Sequence, residues 1–142
     1  MINEIKEEIL KISKYIEDNN INNLTGDEIS RAVTRLAVLR VNLGQEFAQA
    51  TGDYDFSYIA RKIEYASQYN RFKAEATEKL TQKDLDSATI VSIGDMMKKE
   101  ADNKFISDSL KILYDSSGTL ISTLQTRLKV LENERREASK QV

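Results

Sequence analysis

The 142-residue chain contains no proline, cysteine, histidine or tryptophan. Ordinary usage would place about seven prolines in a chain this long. Nothing therefore stops a helix in the way that a missing amide donor and a fixed ring do. The lack of cysteine excludes a disulfide framework. Losing histidine and cysteine together removes the usual general base near neutral pH, the usual thiol nucleophile and the commonest transition-metal ligands. The expectation is a non-enzymatic protein with no catalytic residues, no cofactor and no metal site. Carboxylates alone do not reverse it. A di-iron bundle uses Glu-x-x-His pairs, and Thr51-Gly52-Asp53-Tyr54-Asp55 is too short and too poor in ligands for a calcium loop. Gly44-Gln45 and Gly52-Asp53 lack the Lys-Ser/Thr continuation of a phosphate loop.

Long apolar runs are also missing. No stretch approaches the roughly 18 apolar residues of a membrane span, and Glu4, Glu7 and Glu8 interrupt the place where a signal peptide would sit. A cytoplasmic location without membrane contact is expected. Charge of one sign is lacking too: 21 basic and 23 acidic residues leave a net charge of -2, so any anion site must be a local patch. The asparagine-rich run Asn19, Asn20, Asn22 and Asn23, among many Ile and Lys, fits an AT-rich coding sequence of bacterial or phage type.

What is present is helical periodicity. Ile2, Ile5, Ile9, Ile12 and Ile16 recur at spacings of three and four, predicting a helix over 2–18 that the asparagines end. Thr25 and Glu28 form a capping-box pair, with Leu24 and Ile29 at the staple positions, and open a helix over 26–50. Its stripe, Ile29, Val33, Leu36, Leu43 and Phe47, is widened by Val38, Val41 and Ala48, which predicts two neighbours. Arg40 falls on that stripe, with its stem expected to pack and its head to reach solvent or a carboxylate. Thr51-Gly52-Asp53 reads as a break, with Asp53 or Asp55 capping the next helix, over 56–80. That helix has two overlapping faces, one of Phe56, Ile59, Ile63 and Ala66, the other of Tyr58, Tyr65, Tyr69, Phe72, Ala76 and Leu80.

Thr81 and Asp84 repeat the capping pattern, with Leu80 and Leu85 as the staple, and start a helix over 82–136 that only Gly94 and Gly118 dilute. A tail over 137–142 is expected to fray. Ile106, Leu110, Leu113, Leu120, Leu124 and Leu131 hold a three-four repeat along this last helix. About 40 residues of helix measure about 60 Å, whereas a compact domain of this size is roughly 40 Å across. Either a glycine bends the helix, or those six residues are oligomer contacts covered by another subunit; the second is favoured. Hydroxyl residues crowd Ser107 to Thr126 without an accompanying base, which suggests close packing around Gly118. The predicted architecture is all-α: one domain, an elongated helical bundle or hairpin of long coiled-coil-like helices, homo-oligomeric.

The richest candidate surface is the helix over 56–80, where Arg61, Lys62, Arg71 and Lys73 interleave with Tyr58, Tyr65, Tyr69 and Phe72. Cations neutralise phosphates and aromatic rings offer faces to unstacked bases, a mixture suited to single-stranded nucleic acid. The competing reading makes the rings core and the cations a solvated flank. The order of this helix and the segments Lys104 to Leu110 and Leu120 to Leu131 resembles small phage recombination mediator proteins of the UvsY type, over residues 56–136. The resemblance implies a helical ring-forming oligomer that binds single-stranded DNA and loads a recombinase onto strands coated by a single-strand binding protein. Arg61, Lys62, Tyr65, Tyr69, Arg71 and Lys73 would then be the strand-binding set. Two other readings remain open: a structural or scaffolding helical phage protein, and a helical adaptor or inhibitor of a host protein.

Overall fold

A computed structural model describes residues 1–141, and Val142 lies outside the described residues. The chain is all-α: α1 (Ile2–Asn19), a 3₁₀ turn (Ile21–Asn23), α2 (Gly26–Glu75), α3 (Gln82–Ser92) and α4 (Gly94–Lys140), with no strand among the described residues. Three sequence expectations change. The two helices predicted over 26–50 and 56–80 are one, because Gly52 keeps helical geometry and neither Asp53 nor Asp55 caps anything. A glycine costs a helix about 1 kcal/mol, too little to stop one that is hydrogen-bonded and packed on both sides. The break in the last helix falls at Ile93, where φ is -107° and ψ is 16°, and Gly118 stays helical. The tail is helical to Lys140.

The chain divides into two compact units, where one domain was predicted: residues 1–47 with 110–142, and residues 48–109. In the first unit the isoleucine stripe of α1 packs as its spacing requires, with Ile5, Ile9 and Ile16 buried. Asn20 ends α1 with a φ of 54°, a left-handed value that asparagine tolerates, and its side chain accepts the Asn22 amide. Leu24 and Ile29 are buried beside the capping box, in which the Glu28 amide donates to Thr25 Oγ1 at 3.2 Å and the Thr25 amide to Glu28 Oε1 at 3.3 Å. Ile29, Leu36, Leu39, Leu43, Leu110 and Leu124 complete the core.

The first part of α2 does have two neighbours, though not through Val38 and Val41, which are exposed. Arg35 pairs with Glu8, and Tyr15 Oη donates to Glu28 Oε2 at 2.6 Å, setting α1 antiparallel to α2. On the α4 side, the half-buried Arg40 turns its head onto Tyr114. Its guanidinium lies 3.8 Å from the Tyr114 ring centroid, and Nε donates to the Tyr114 carbonyl at 3.2 Å. Gly118 makes room for it, since a Cβ there would sit 2.8 Å from Arg40 Nη2. The buried Ser117 returns its hydroxyl to the same Tyr114 carbonyl at 2.8 Å.

The hydrogen bond from Arg35 holds the Glu8 carboxyl below the usual carboxylate range, and bonds from Tyr15 and Thr25 do the same for Glu28. Both groups bind protons less readily folded than unfolded. Their contribution is complete above the ordinary value of about 4.3 and is lost as pH falls through the lowered folded values. Amide hydrogen exchange of α1 is therefore expected to accelerate relative to α4 between pH 5 and 3, after correction for intrinsic rates. Equal protection at both pH values would contradict this.

In the second unit the remainder of α2 runs antiparallel to the start of α4. Asn103 Nδ2 donates to Ser57 Oγ, Ser57 Oγ donates to the Asp53 carbonyl at 2.8 Å, and Thr51 and Ser107 share a hydroxyl contact at 3.2 Å. The expected capping box opens α3: Thr81 accepts the Asp84 amide and Asp84 accepts the Thr81 amide. Leu85 is buried and Leu80 is not. Near the end of α3, Thr89 Oγ1 donates to the Leu85 carbonyl at 2.6 Å and Ser92 Oγ to the Thr89 carbonyl at 2.7 Å. Hydroxyls competing for helical carbonyls favour a break there.

Candidate interaction surface

The aromatic face of α2 turns toward its own unit. Tyr58, Tyr65, Tyr69 and Phe72 are half-buried. Tyr65 Oη donates to Asp86 on α3, a bond that raises its pKa, and its ring stacks on Tyr69 at 6.2 Å. Arg61 is ion-paired with Glu100 of α4, both side chains half-buried, and its guanidinium lies 5.3 Å from the Tyr58 centroid. Of the six residues predicted to bind a strand, the structure thus holds Arg61 and Tyr65 in bonds within the unit. Lys62, Arg71 and Lys73 are exposed, with the Lys62 ammonium 4.5 Å from the Tyr58 centroid and the Arg71 guanidinium 5.0 Å from that of Phe72.

The stripe of α4 assigned to oligomer contacts is also largely internal. Leu110 and Leu124 are buried, Leu113, Leu120 and Leu131 are half-buried, and Ile106 alone among the six is exposed. Leu110 and Leu124 are enclosed by their own chain and leave no surface for a second subunit.

An uncovered apolar row lies on α2 in the second unit. Phe56 is 74% exposed, Ile59 56% and Ile63 65%. They follow one another by three and four residues and so form one row. Their counterparts inside the unit are small or polar: Ala50, Ser57, Thr89 and Ser107 are buried, with Leu85 and Ile93 the only larger apolar side chains among them. The fully buried positions of the unit are thus mostly small or hydroxyl-bearing, while three large apolar side chains of α2 stand outside. Periodicity had placed Phe56, Ile59 and Ile63 on one face; the signal missed was the concentration of Ser, Thr and Asn opposite them.

Beside this row a groove runs between Phe56, Ser57 and Ala60 of α2 and Met96 and Lys99 of α4. No group of His, Cys, Asp or Glu among the described residues is arranged to hold a metal ion, and no helix among them is long and apolar enough to cross a membrane. Fold and site together define an all-helical protein whose candidate site is an exposed apolar helix face. No family model matches the chain, and neither curated proteins nor solved structures yield a match.

Proposed function

We propose that this is a non-enzymatic helical assembly protein of the structural or scaffolding kind, acting through the outward face of α2 in the second unit. The observation that carries the reading is the exposure of Phe56, Ile59 and Ile63 as one row. Soluble monomers seldom leave a contiguous row of large apolar side chains in water, and such rows mark surfaces for other proteins. An amphipathic helix presenting anchors at i, i+3 and i+7 suits a helical counterpart. Light scattering on chromatographed protein should give a mass above the 16.2 kDa of one chain that rises with loading. A constant single-chain mass would contradict the reading.

A second reading, single-stranded DNA binding by a recombination mediator, is favoured by the exposure of Lys62, Arg71 and Lys73 along one helix. Its partners would be the strand and a recombinase or single-strand binding protein in the cytoplasm of a bacterial or phage-infected cell. Here Glu100 is an internal competitor, since it occupies Arg61. Glu100→Gln is expected to free that guanidinium and raise low-salt affinity for a labelled oligonucleotide several-fold, with a steeper salt dependence. If neither the wild type nor Glu100→Gln retains the oligonucleotide at low salt, this second reading falls.

A further inference from the structure

The exposed face of α2 carries a register. Gln49, Phe56 and Ile63 repeat every seven residues, and Gly52, Ile59 and Ala66 repeat with the same period three positions later. This is the a and d spacing of a two-helix seam. All six are exposed, while Tyr54, Ser57 and Arg61 on the opposite side of the helix are buried or half-buried. The seam is bordered on one flank by Asp55 and Lys62, both exposed, and on the other by Asp53 and Ala60.

We infer that this face binds the same face of a second copy of the chain, the two α2 helices running antiparallel about a two-fold axis near residues 57 and 58. The inference rests on the assembly reading above and names its partner and geometry. Charge selects the arrangement. When Phe56 lies across from Ile59 of the second copy, Asp55 comes opposite Lys62 of that copy, and the two-fold repeats both contacts. A parallel pair would set Asp55 against Ala60 and Lys62 against Ser67, leaving both charges without a partner.

The other flank agrees. The antiparallel register brings Asp53 of the second copy to Ala60, and Lys99 lines the groove that Ala60 shares with Phe56. Size agrees as well, because Gly52 falls opposite Ile63 at each end of the seam, where a large residue needs a small one. With only three large side chains exposed along it, the seam is small, below the roughly 1,200 Å² at which stable specific interfaces begin. A dimer of this size forms and dissociates with concentration.

The test uses the full chain with Asp55→Lys and Lys62→Asp, followed by sedimentation equilibrium. Each reversal alone puts two like-charge pairs across the seam and should raise the dissociation constant at least about ten-fold. In an equimolar mixture of the two variants every facing pair again has opposite sign, and association should return to within about three-fold of the wild type. Both positions are exposed, and circular dichroism on each variant should show unchanged helix. If the wild type associates but mixing the variants restores nothing, the antiparallel register is wrong while the assembly reading stands. If the wild type remains a single chain at every concentration, both are wrong.

Discussion

Leu124→Ala should lower the free energy of unfolding by about 3 kcal/mol, within the 2–5 kcal/mol seen when a buried leucine is truncated. Leu124 of α4 has no exposed surface, and neither have Ile29, Leu36 or Leu43 of α2. Removing three carbons from so closed a site forfeits their transfer energy and leaves a cavity that rigid helices fill only in part. The loss corresponds to roughly 10 °C in melting temperature for a chain of this size. Chemical denaturation of the wild type and the variant measures it directly. A change below about 1 kcal/mol would mean that Leu124 is not enclosed by the first unit, and that the α4 stripe is free for another subunit after all.

Ile59→Asp should do the opposite: leave the isolated chain nearly as stable as before and remove its association. Ile59 is more than half exposed, so a carboxylate there remains hydrated and the change in unfolding free energy should stay within about 0.5 kcal/mol. In an assembled face, the same carboxylate would be stripped of water against apolar side chains, and in a two-fold pair this happens twice. Burying an unpaired charge costs far more than the lost methylenes. Association should weaken at least about 100-fold, which corresponds to about 2.8 kcal/mol. Leu124→Ala and Ile59→Asp thus separate the face that folds the chain from the face proposed to assemble it.

Much of the local structure can be read from residues. The isoleucines of α1 and the Thr25–Glu28 and Thr81–Asp84 boxes are short-range signals, and each sits where its spacing places it. Helix continuity is harder to read. Gly52, Gly94 and Gly118 look alike in sequence, yet one lies inside a helix, one follows a break, and one makes room for the Arg40 guanidinium. Their difference comes from neighbours: hydroxyls of Thr89 and Ser92 that compete for carbonyls, or a cation arriving from another helix.

The candidate surface was legible only as a choice between two faces. Periodicity places Phe56 with Ile59 and Ile63, and Tyr58 with Tyr65, but it does not say which row is covered. The choice is made by Glu100, Asp86 and Asn103, which bond Arg61, Tyr65 and Ser57 from tens of residues away and carry no local signature. Those polar contacts turn the tyrosine row inward and leave the more apolar row in water.

Sedimentation equilibrium of the wild-type chain beside Ile59→Asp, over a hundred-fold range of concentration, tests the role of that row most directly. The expected result is a wild-type mass that climbs from 16.2 kDa toward twice that value, with the variant fixed at a single chain. Identical behaviour of the two proteins, whether both associate or neither does, would contradict the assignment of the Phe56, Ile59 and Ile63 face as the assembly surface.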